Sequence, residues 1–110
     1  MSFLKESSPS TAFRPDAQRK FIHGKQLMTV VIDFFNGPWT APDPPHHHVH
    51  EQITYIAKGK IRLFCDGEPD VELQAGDMFY IPSNRKHTIQ LLSETARLVD
   101  TFTPLREDML

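Results

Sequence analysis

At 110 residues the chain is about one domain long, with room for a single modest core. Twelve Lys and Arg against 14 Asp and Glu leave a net charge of -2, which supplies no basic field for nucleic acid or an anionic membrane and favours a small solute as partner. The lone Cys65 excludes an internal disulfide, no secretory pattern opens the chain, and no apolar run approaches the ~20 residues that cross a bilayer, so the expected location is the cytoplasm.

Residues 1–25 begin with Ser7, Ser8, Pro9, Ser10 and Thr11 beside scattered apolar positions, the composition of an extended arm. Residues 26–110 read as one β-rich unit. Leu27 to Phe35 is dense in β-branched and aromatic residues and is stopped by Asn36-Gly37-Pro38. A Pro-rich loop at 38–45 follows, then short strand-like runs at 53–57, 61–65, 71–73, 78–81, 87–92 and 97–102. Lys58-Gly59, Asp66-Gly67 and Gly76-Asp77 punctuate them as turns, and Asp66-Gly67 is the best hairpin signal. No segment combines a cap, ten residues of 3.6 period and a terminating Gly, so no long helix is expected.

The chemistry concentrates in Pro44-Pro45-His46-His47-His48-Val49-His50-Glu51-Gln52. Positions 46, 48, 50 and 52 share one face of an extended chain, and imidazoles two apart can converge on one divalent ion. In isolation the segment also reads as a solvated His-rich loop. A second segment, Gly76 to His87, runs through a turn, a strand and a proline break to a histidine entering the next strand. In a closed barrel such a histidine can face ligands from an earlier strand and leave positions open for a substrate.

Together the two segments resemble the two cupin motifs. His46, His48, Gln52 and Gly59 fit the first, and Gly76, Pro82 and His87 fit the second. Thr40 stands where the opening Gly is expected, Asn84 replaces a Gly, and Gln52 replaces a Glu ligand. The resemblance implies an all-β, single-domain jelly-roll barrel, a double-stranded β-helix, holding one divalent metal (Ni, Zn, Mn or Fe) through His46, His48, Gln52 and His87. A glutamine oxygen is neutral, so the metal charge stays uncompensated and anionic ligands are favoured. By parity alone His50 could replace a neighbour as ligand; the family spacing favours His46 and His48.

At the C-terminus Leu98, Asp100 and Phe102 share a face. An inward Asp either pairs with an Arg or serves a pocket. This tail, with His50 to Tyr55, resembles the small KdgF-type cupins of pectin and alginate breakdown, which convert 4,5-unsaturated uronate monosaccharides to linear ketonised sugars. The resemblance implies Asp100, Phe102 and Arg106 as substrate residues. Asp100 and Arg106 are the expected catalytic pair: Asp100 relays a proton, and Arg106 clamps the substrate carboxylate bidentately. Phe102 packs on the sugar, and Tyr55 is placed at the pocket edge, where an aromatic equally serves packing. A small anionic sugar is the expected partner, and the arm is expected to cross a second subunit of a homodimer. The rival readings are a metal-dependent dioxygenase and a non-catalytic module binding a sugar or small acid.

Overall fold

Alternation of apolar and polar residues along the chain resolves into nine strands among the described residues, 2–110, of a computed structural model. They are β1 (Thr11–Arg14), β2 (Ala17–His23), β3 (Met28–Phe34), β4 (Glu51–Lys58), β5 (Lys60–Cys65), β6 (Val71–Gln74), β7 (Met78–Ile81), β8 (His87–Leu91) and β9 (Ala96–Thr103). The described residues form no α-helix, only a 3-10 turn at Glu107–Met109. Each of the six runs from 53 onward, and the one before Asn36, corresponds to an observed strand.

β1-β2-β3-β9-β4-β7 form a six-stranded sheet and β6-β5-β8 a three-stranded one, all pairs antiparallel. The side chains between the sheets follow the period of two. Met28, Val30, Ile32 and Phe34 of β3 are buried, as are Ala96, Leu98, Asp100 and Phe102 of β9 and Gln52, Thr54 and Ile56 of β4. Apolar burial of this kind contributes roughly 1.5–3 kcal/mol per large side chain. The buried polar residues Gln52, Thr54 and Asp100 interrupt that interior side by side.

The arm reading of residues 1–25 requires correction: β1 and β2 lie in the sheet. β2 pairs along its whole length with β3, from Ala17↔Phe34 to His23↔Met28. Its charged residues Arg19 and Lys20 hid the alternation. Lys20 is 9% exposed and donates through Nζ to the carbonyls of Lys5, Glu6 and Ser8 at 2.9–3.3 Å. Residues 5–8 are therefore tied to their own sheet.

The turns perform as their residues predict. Gly59, Gly67 and Gly76 have φ of 86°, 85° and 98°. At Gly59 an added Cβ would lie 2.3 Å from the Thr95 carbonyl oxygen, so the close approach of β4–β5 to β9 also demands glycine. Asn84 adopts φ 62°, the left-handed conformation that Asn tolerates in place of the family's Gly.

Candidate metal centre and substrate pocket

His46 and His87 are locked by backbone pairing: His46 N donates to the His87 carbonyl at 3.0 Å, and His87 N donates to that of His46 at 2.9 Å. This isolated bridge sets the two rings 4.4 Å apart. His48 is positioned from the second motif, where Asn84 N donates to its carbonyl at 2.7 Å. Its ring lies 5.7 Å from that of His46 and 5.0 Å from that of His87. One ring nitrogen from each of the three lies within 4.8 Å of the others. His50 does not join them; its Nε2 faces the Leu105 carbonyl at 3.0 Å and holds the backbone just before Arg106. The chain between 47 and 50 is not a regular strand, so the shared face expected at 46, 48, 50 and 52 breaks at His50.

Whether these residues suit a cation follows from their hydrogen bonds. His48 Nδ1 lies 2.9 Å from the His50 carbonyl and His87 Nδ1 lies 2.8 Å from that of Arg85. A carbonyl only accepts, so each Nδ1 carries the proton and each Nε2 is bare. Burial holds the His48 and His87 rings below the usual imidazole range. His46 is pushed down to about 4, first by burial and then by the neighbouring His87, His48 and Arg106. The rings are neutral at pH 7.

Gln52 completes the set. Thr54 donates its one hydroxyl proton to Asp100 Oδ1 at 2.6 Å, so it must accept from Gln52 Nε2 at 2.8 Å. That fixes the amide with Oε1 facing His48 Nε2 at 3.2 Å. Two acceptors confront each other beside two further imidazoles, an arrangement that is unfavourable alone and suited to a cation between the lone pairs. The donors fit a divalent metal.

The site opens on a cavity of about 400 Å³ that His46, His87, Gln52, Asp100, Phe102 and Arg106 all line. Asp100 makes no ion pair among the described residues; its side chain is held by Thr54. Its carboxyl is raised to about 6 by burial, against the opposing effects of the Thr54 hydroxyl and the Arg106 charge. Arg106 stacks 5.0 Å over the Phe102 ring. Its Nε and one terminal nitrogen already fork onto Asp108 at 3.0 and 2.9 Å. That edge is occupied, which leaves the opposite edge, through Nη1, as the one that can meet a substrate oxygen.

Tyr55 requires correction. It alternates to the outer face of β4, is 42% exposed, and does not line the cavity. Thr54 was missed, although its place two residues from Gln52 on a strand puts both on one face. Arg14 and Asp43, paired at 2.9 Å on the cavity wall, had no local signal because 29 residues separate them.

Comparison with known proteins agrees with this geometry. The family model described as "Cupin domain" matches residues 37–102. The chain is 34% identical over 110 residues to the pectin degradation protein KdgF of Dickeya dadantii (strain 3937), covering 98% of this chain and 96% of the relative. The structure of KdgF from Halomonas sp. superposes with a TM-score of 0.86 at 33% identity, covering 98% of both chains. An RmlC-like cupin from Shewanella frigidimarina NCIMB 400 superposes with a TM-score of 0.85 at 29% identity, covering 98% of this chain and 94% of that one. The chain belongs to the cupin superfamily and, within it, to the small single-domain KdgF-type family.

Proposed function

We propose that this protein converts 4,5-unsaturated uronate monosaccharides, released in pectin or alginate breakdown, to linear ketonised sugars, using a divalent metal held by His46, His48, Gln52 and His87. The observation that carries this reading is the buried Asp100, linked through Thr54 to Gln52 and facing the same cavity as His46 and His87 of the histidine cluster. The likeness to proteins named for pectin degradation supplies the substrate class.

An unsaturated uronate is a cyclic hemiacetal whose ring oxygen is also an enol oxygen. Opening it removes the anomeric hydroxyl proton, breaks the bond between the anomeric carbon and the ring oxygen, and leaves an aldehyde and an enolate. Protonation of the enolate carbon then gives the ketone, with no net oxidation. Asp100 accepts the hydroxyl proton as a carboxylate and returns a proton to carbon; a carboxyl raised to about 6 suits both directions near neutral pH. Phe102 packs on the sugar face, and Arg106, fixed by Asp108, turns its remaining N–H groups to substrate oxygens. When bound, a divalent metal supplies Lewis acidity to a substrate oxygen.

The protein is proposed to act in the cytoplasm as a homodimer. No helix among the described residues is long and apolar enough to cross a membrane. An outer stripe supports the dimer: Ile53 pairs with Tyr80 and Tyr55 with Met78, and these four side chains are 42–61% exposed. Light scattering checks it; a strictly monomeric mass refutes it. The reaction itself is tested by incubating metal-loaded protein with the monosaccharide product of a pectate lyase and following the vinylic proton by NMR. Its loss faster than in buffer, with ketone signals appearing, is the expected result; a rate equal to the spontaneous one refutes the assignment.

A further inference from the structure

The cavity holds a cation that the chain leaves without a counter-charge. Arg19 lies on β2 between Ala17, which is 1% exposed, and Phe21, which packs on the core; it shares their parity and pairs with Ile32 of β3. Its side chain lines the same cavity as His46, His87 and Asp100. The other two arginines on that wall are engaged. Arg14 reaches Asp16 and Asp43, the latter at 2.9 Å, and Arg106 is forked onto Asp108. Arg19 makes no hydrogen bond or ion pair with a carboxylate among the described residues, and its guanidinium sits 4.5 Å over the Phe13 ring.

A guanidinium stacked on an aromatic ring is held flat with its N–H edge outward, an arrangement that spares rotamer entropy when an anion docks. We propose that Arg19 is the carboxylate-binding residue of this pocket, forming the anion subsite that pairs with the metal centre. The inference rests on the uronate reading for the identity of the ligand and deepens it. It assigns to β2 the role that sequence resemblance gave to Arg106. Division of labour follows: Arg19 takes the carboxylate, and Arg106, nearer the histidines whose ionisation it opposes, addresses the oxygens around the reacting bond.

The test uses metal-loaded full-length protein and two unreactive probes, galacturonate and its neutral counterpart galactose, with affinities measured by calorimetry. Wild type is expected to prefer galacturonate. Arg19→Gln is expected to lose roughly tenfold or more of galacturonate affinity, as befits a charge-assisted pair, with galactose binding unchanged. Arg19→Lys, which keeps the charge, is expected to recover part of the preference and to control for folding. With the unsaturated substrate the loss should appear in KM and spare kcat. Galacturonate binding that is unchanged in Arg19→Gln, or absent from wild type, overturns the subsite. An Arg19-dependent preference in a protein that turns over no unsaturated uronate keeps the subsite and refutes the reaction.

Discussion

The two walls of the cavity are built on opposite electrostatic plans. The histidine wall offers neutral donors only: three imidazoles kept unprotonated by burial, and an amide oxygen. The wall of β9 and the C-terminal turn carries ionisable groups, with Asp100 desolvated inside and Arg106 over Phe102. Thr54 is the joint between them, since its single hydroxyl proton commits both the amide of Gln52 and the carboxylate of Asp100. The comparison teaches that cation binding and proton handling are separate tasks coupled at one residue.

The largest expected effect breaks the histidine wall. His46→Ala should lose metal, as measured by metal content after gel filtration, and reduce turnover to the spontaneous rate. On the other wall, Asp100→Asn should retain metal and lower kcat by roughly 10²–10⁴, the usual range for removing a general acid–base; normal turnover would remove Asp100 from the mechanism. Thr54→Val strikes the joint. Metal affinity should fall roughly 10–100-fold, as for other residues that orient a ligand. The rise of kcat/KM with pH, expected near 6 in wild type from the raised Asp100 carboxyl, should move upward because the hydroxyl that favours the carboxylate is gone. An unmoved pH profile would contradict the coupling.

Smaller effects sharpen the contrast. Asp100 is raised above its unfolded value of 3.8 to about 6, so its contribution to stability is fully present below about pH 4 and lost as pH rises through 6. The shift corresponds to about 3 kcal/mol. In metal-free protein Asp100→Asn should therefore gain stability over wild type at pH 8 relative to pH 4, measured by urea unfolding. Tyr55→Lys, on the outer face, should leave kcat and metal affinity unchanged while weakening self-association.

The fold was legible wherever alternation was written in apolar residues, as in β3, β5 and β9. It was not legible in β2, because Arg19 faces the cavity and Lys20 is buried against backbone carbonyls, so charged residues occupy positions that period-two reading expects to be apolar or solvent-facing. At the site, spacing selected His46, His48, Gln52 and His87, which the structure brings together. Parity alone could not separate His50 from them, because the chain leaves strand geometry between 47 and 50. Tyr55 failed through parity that the sequence did contain: it is three residues from Gln52 and so on the opposite face. Arg106 lines the cavity, but its fork onto Asp108 depends on the C-terminal turn, which carries no strand pattern.

The central claim is that the histidine wall, loaded with a divalent cation, serves a redox-neutral ring opening. Its most direct test is the loss of ultraviolet absorbance of the conjugated double bond of an unsaturated uronate under argon, with metal-loaded protein against a chelator-treated control. Acceleration that depends on the metal and proceeds without oxygen is the predicted result. Decay equal to the spontaneous rate, or acceleration only when oxygen is admitted, would contradict it.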